Sequence, residues 1–214
     1  LRATWDPSIE IAPDVARALF EGEARGRIEG REMGWDVLPP GPVPKPRARK
    51  LELGRRDERM WLRLDLASGE IRFEGTREFL GWKRPDWMEK DVLFVFPYPL
   101  VEGALSFARL VREVGVAVGH DGGVVLEMAL IAMAGARLGP GRPDSIAWQL
   151  GRGWEEPLED NLVHVRHEVE AFDTLDESPD RHAYALVSRV YEWFGYDDDA
   201  IPFWQSAQQR FAIA

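Results

Sequence analysis

Arg59-Met60-Trp61-Leu62-Arg63-Leu64-Asp65-Leu66-Ala67-Ser68-Gly69-Glu70-Ile71-Arg72-Phe73 alternates in the manner of strands on both sides of a turn. Trp61, Leu62, Leu64 and Leu66 precede Ala67-Ser68-Gly69-Glu70, and Ile71 and Phe73 follow it. A side-chain period of two sends neighbours to opposite faces, so the stretch reads as a β-hairpin. Antiparallel strands of this kind bury one face and leave the other to water.

Downstream, Asp91-Val92-Leu93-Phe94-Val95-Phe96 is a continuous apolar run stopped by Pro97 and Pro99, which predicts a strand buried on both faces. Leu100 to Val114 places Val101, Leu105, Ala108, Leu110 and Val111 near helical spacing, with Gly115 as its expected end. Gly119-His120-Asp121-Gly122-Gly123 reads as a turn into an apolar run from Val124 to Ala134, with Ser145 to Leu150 as a candidate partner strand. Ser178 can cap a helix that Pro179 begins, that Ala183, Leu186, Val187, Val190, Tyr191 and Phe194 stripe, and that Gly195 closes. A last short helix is expected from Pro202 to Phe211.

Upstream, Pro13 suits a first helical position, and Val15, Ala16, Ala18 and Leu19 give Asp14 to Arg25 an amphipathic pattern. Pro39-Pro40-Gly41-Pro42-Val43-Pro44-Lys45-Pro46 excludes helix and paired central strand, because each proline lacks an amide donor and fixes φ. It reads as an extended, polyproline-like arm. The expectation is an α+β (or mixed α/β) fold: a central sheet of about five or six strands with packed helices and a proline-rich N-terminal arm. Residues 1–50 are expected to form the helix and arm, and 51–214 the main globular domain.

A chain of 214 residues, 45% hydrophobic, can bury a substantial core. The absence of cysteine excludes disulfides, thiolate metal sites, iron–sulfur clusters and cysteine nucleophiles, and fits a cytoplasmic protein. No apolar run approaches the roughly 20 residues of a membrane span, and Leu1 to Glu10 lacks a signal peptide's apolar centre. The expectation is a soluble protein with no membrane partner. A start at Leu1, without an initiator Met, fits a processed or partial form of something longer.

Charge is distributed unevenly. Lys45 to Arg63 holds eight basic and three acidic residues, Glu155 to Asp199 fourteen acidic and three basic, within a net charge of −10. The two stretches could face different partners or each other. Lys45, Arg47, Arg49, Lys50, Arg55, Arg56 and Arg59 could contact phosphates while Trp61, Trp82 or Trp87 stacks a base. The net acidity of the chain opposes that reading at long range.

Several enzyme classes are excluded. There is no Gly-Lys dipeptide for a Walker A loop, no Gly-x-Ser-x-Gly elbow, and no lysine with an acidic residue two positions before it. Gly119 to Gly123 lacks the Gly-x-Gly-x-x-Gly pattern, and Asp197-Asp198-Asp199 lacks calcium-loop spacing. His120 and Asp121, neighbours on a turn, seldom aim at one atom. In His164-Val165-Arg166-His167-Glu168, a helix would align His164, His167 and Glu168 as a metal shell, completed by His182 or Asp180. An extended chain would send His164 and His167 to opposite faces, and the β-prone Leu162, Val163, Val165 and Val169 favour that.

These features together point to a non-enzymatic interaction module, part of a larger protein or assembly, docking through the basic arm and an acidic surface. Its partner would be a protein or a flanking domain of the same protein, with no cofactor implied. The alternative is a nucleic-acid-associated protein using Lys45 to Arg59 with Trp61. A third is a metal-dependent hydrolase built on His164, His167, Glu168 and His182.

Overall fold

The alternating hairpin forms where its spacing requires. In the computed structural model, which describes residues 1–20, 28, 37, 45–47, 50–54, 60–82, 94–138, 158–197 and 200–212, Met60, Leu62 and Leu64 point inward while Arg63 faces solvent. The strands are β1 (Arg2–Asp6), β2 (Lys45–Arg47), β3 (Lys50–Gly54), β4 (Met60–Asp65), β5 (Ile71–Gly75), β6 (Gly81–Trp82), β7 (Phe94–Val95), β8 (Gly123–Ile131), β9 (Arg137–Leu138), β10 (Leu162–Val169), β11 (Trp204–Gln205) and β12 (Arg210–Phe211). Seven of them form one sheet in the order β10-β8-β1-β5-β4-β3-β2, antiparallel at every junction. The fold is thus mixed α+β.

At the β4–β5 turn, Gly69 adopts φ 68°, a left-handed conformation that favours glycine. The Asp65 carboxylate accepts the amides of Ala67 and Ser68. Trp5 Nε1–H donates to the Gly69 carbonyl at 2.7 Å, tying the turn to β1. β1 was not legible as a strand: five residues at a chain end give too short a pattern to establish a period. It nevertheless runs mid-sheet between β8 and β5, with Ala3 and Trp5 buried. Residues on both sides of position 50 therefore share one sheet.

Helices cover the inner face: α1 (Pro13–Phe20), α2 (Arg77–Leu80), α3 (Pro97–Val118), α4 (Phe172–Glu177) and α5 (Pro179–Trp193). α3 is longer than its periodicity indicated. It starts at the two prolines expected to end a strand, because a first turn needs no proline amide. It passes through Gly115 and ends at Gly119, φ 66°. Gly115 is a packing position, since a methyl group there would overlap the Phe172 ring.

α5 follows its predicted stripe, burying Ala183, Leu186, Val187, Val190 and Tyr191 against α3 and β10. Ser178 occupies its N-cap position, though its side chain makes no capping hydrogen bond. In α1, Ala16 and Phe20 are buried and Ala18 is exposed, a face rotated from the one expected.

Three further expectations bear on the short strands. Of the run ending at Phe96, the described residues Phe94–Val95 form β7, paired with β6 and, in parallel, with β9 in a small three-stranded sheet. Pro202 to Phe211 forms no helix: β11 and β12 make a hairpin there, Trp204 stacking on Tyr184 at 4.0 Å between centroids. Lys45-Pro46-Arg47 is an edge strand, where proline is tolerated because only one side must carry hydrogen bonds. Residues 39–44 of the expected arm, residues 91–93 and Ser145 to Leu150 lie outside the described residues.

Candidate functional site

The outer face of the sheet carries the charges. Register places Arg166, Glu127, Arg2, Arg72, Arg63, Glu52 and Lys45 in one row across all seven strands. Arg2 bridges Glu70 at 2.8 Å and Glu127 at 3.3 Å, and Arg72 reaches Glu70 at 3.1 Å. The hydrogen bond from Arg2 to Glu70 holds that guanidinium still more firmly in its charged form. Arg166 pairs with Glu168 at 2.8 Å and Lys50 with Asp65 at 3.5 Å. Arg2, Lys50, Arg63, Arg72 and Arg166 thus meet Asp65, Glu70, Glu74, Glu127 and Glu168, and the middle of the face is neutralised from within.

At one end of the row lies the described part of the basic stretch. Lys45 and Arg47 occupy β2, the outermost strand, opposite Glu52 and Lys50. Lys50 is exposed, and Trp61 lies half-buried on β4 between the register positions of Gly54 and Glu74. Arg49, Arg55, Arg56 and Arg59, with Trp87, lie outside the described residues.

At the opposite end, β10 and the helices after it carry the acidic stretch. Glu159, Asp160, Glu168, Glu170, Asp173, Glu177 and Glu192 are exposed there. Asp180 is occupied structurally: Arg109 reaches it at 3.2 Å, and it accepts the Phe211 amide at 3.0 Å, fastening the terminal hairpin.

The histidine motif is extended, as its β-prone neighbours indicated. His164, Arg166 and Glu168 face outward on β10, while Val163, Val165 and Val169 are buried and His167 is half-buried on the inner side. His164 Nε2 lies 3.4 Å from Glu127. His167 Nε2 instead lies 2.8 Å from His182 Nδ1 on α5. The four residues of the expected metal shell are therefore divided between two faces. Among the described residues no three His, Asp or Glu side chains are grouped to hold a metal ion.

Burial lowers the pKa of both His167 and His182, with the neighbouring imidazole adding to the shift at His167. At His182 the Thr174 carbonyl opposes the shift and Arg181 adds to it. His120, which could have paired with Asp121, is buried edge-on against Trp5 at 5.0 Å, with Nε2 3.1 Å from the Gly123 carbonyl.

Sequence reasoning identified the two charged stretches but missed the lattice between them. Arg63 with Asp65, and Arg72 with Glu74, alternate on the polar side of the hairpin and were its visible trace. Among the described residues no helix is long and apolar enough to cross a membrane. No family model matches the chain, and no curated protein or solved structure matches it either.

Proposed function

We propose that this chain is a non-enzymatic interaction module that docks macromolecular partners through the basic edge and the acidic flank of one sheet. One observation carries the reading: the order β10-β8-β1-β5-β4-β3-β2 puts the described part of the basic stretch and the acidic stretch at opposite ends. Six strand spacings of about 4.8 Å separate β2 from β10 by roughly 29 Å. That distance is several times the Debye length of about 8 Å at physiological salt. The described strand ends are therefore too far apart to pair directly, which supports a partner of its own for each charged stretch. The balanced lattice between them keeps the centre of the face from competing for either partner.

The basic edge is tested by the variant Lys45→Glu, Arg47→Glu, Lys50→Glu. Wild-type protein recovered from its own host at low salt should carry a partner that the variant loses, while Asp173→Lys with Glu177→Lys at the other end retains it. Equal retention by wild type and the basic-edge variant contradicts the reading.

The second reading is nucleic-acid contact, favoured by Trp61 lying on the outer face two residues from Arg63 on the same strand. A ring beside a guanidinium can stack a base while the cation holds a phosphate. A raised 260-to-280 nm absorbance ratio that falls on a high-salt wash would identify the partner of the basic edge as nucleic acid.

A further inference from the structure

The large sheet has two outer strands, and they are not alike. Leu1 and Phe73 exchange both ladder bonds, at 2.9 and 2.8 Å. Bonding direction alternates along an antiparallel strand, so this pair fixes it across the sheet through the unbroken registers. On β10, Val163, Val165, His167 and Val169 bond back to β8. The amides and carbonyls of Leu162, His164, Arg166 and Glu168 therefore point away from the sheet. Among the described residues no strand and no backbone hydrogen bond reaches that edge.

At the other end the same alternation turns the backbone of Pro46 outward on β2. Proline has no amide, and on an outer strand it refuses a further strand. β10 carries no proline over its eight residues.

The charges on β10 decide what fits its edge. An antiparallel strand must set its own outward-bonding residues against those of β10. When that strand is β10 of a second copy, a twofold axis at His167 puts Arg166 opposite Glu168 of the second copy, and Glu168 opposite its Arg166. His164 faces Glu170 in the same row. Moving the axis by one residue sets Arg166 on Arg166 or Glu168 on Glu168, so the charge pattern selects one register. Arg166 and Glu168 already bridge at 2.8 Å within one copy, with both side chains exposed. In the pair this bridge becomes a ring of four alternating charges. On the inner side Val165 faces Val169, both buried.

We infer that β10 pairs with β10 of a second copy of this chain, in an antiparallel twofold dimer that joins two sheets into one. A second copy fits because the pattern is its own complement, which is what an isologous contact requires. The net charge of −10 on each copy opposes association at long range. Salt screens that repulsion more than it weakens close pairs and ladder bonds, so the dimer persists at high salt.

The inference goes beyond the proposed function and uses neither β2 nor α4. Salt separates the two: a charge-held partner is stripped by a high-salt wash, whereas the dimer remains. Sedimentation equilibrium of the washed protein should give twice the single-chain mass. Arg166→Pro removes an outward amide and no bond to β8, so circular dichroism should show the fold retained while the dimer weakens by about tenfold or more. Arg166→Glu sets like charges across the axis and should weaken the dimer about tenfold; adding Glu168→Arg restores the pairing and the affinity. Hydrogen exchange at His164, Arg166 and Glu168 should slow as protein concentration rises. A single-chain mass, a dimer that Arg166→Pro leaves intact, a charge swap that restores nothing, or slowing confined to another strand would overturn it.

Discussion

His167 and His182 hold a single proton between them. A ring-to-ring contact of 2.8 Å needs one nitrogen to donate and the other to accept, so two protonated rings leave no acceptor and place like charges together. Burial lowers both pKa values from the usual 6.5. The folded state therefore binds protons less readily than the unfolded state, and stability is complete above about 6.5. It should fall as pH drops from 6.5 through the lowered folded values. Beside burial, His182 lowers the His167 pKa and Arg181 lowers that of His182, with the Thr174 carbonyl opposing at His182.

We expect the urea midpoint to fall between pH 7.5 and 5.5, and His182→Gln to remove most of that fall; an equal fall in the variant contradicts it. Asp65 responds at a different pH. Partial desolvation would raise its pKa, but the amides of Ala67 and Ser68 and the Lys50 ammonium outweigh it and the net shift is downward. Its contribution is present above the ordinary carboxylate range and lost as pH falls through the lowered value. The sequence showed the histidines but not their pairing, because the 15 residues from His167 to His182 include a turn and a helix whose packing no local pattern encodes.

Among elements, α3 shows how a correct pattern is read to the wrong length. Its apolar residues gave the helix, and glycine at position 115 gave a false end, because a close-packing glycine and a terminating glycine are alike in a sequence. The Phe172 ring resting on Gly115 is itself held by Trp5 and His120 at 6.1 and 5.8 Å, so it cannot easily retreat. Gly115→Ala gains ~1 kcal/mol in helix propensity and should lose about 1–3 kcal/mol to overpacking. The expected net is a lower urea midpoint. Combining it with Phe172→Leu should give less loss than the two single changes add up to; strict additivity would show that the ring does not press on the helix. The β4–β5 hairpin and α5 were legible because each carries its whole pattern locally. The β11–β12 hairpin was not, since Trp204 and Phe211 are placed by Tyr184 and Asp180 on another element.

On the scale of the whole molecule, the sheet places the described part of the basic stretch at one end, paired charges at its centre and the acidic stretch at the other end. Both charged stretches were legible from composition, but their separation was not, because it depends on β1, β5 and β8 intervening between them. In the proposed function these ends meet partners and not each other. The most direct test is the light-scattering mass of protein recovered at low salt from its host, before and after a high-salt wash. A mass at low salt above that of the protein alone, returning to it on washing, is expected. The mass of the protein alone at low salt, unchanged by the wash, would contradict it.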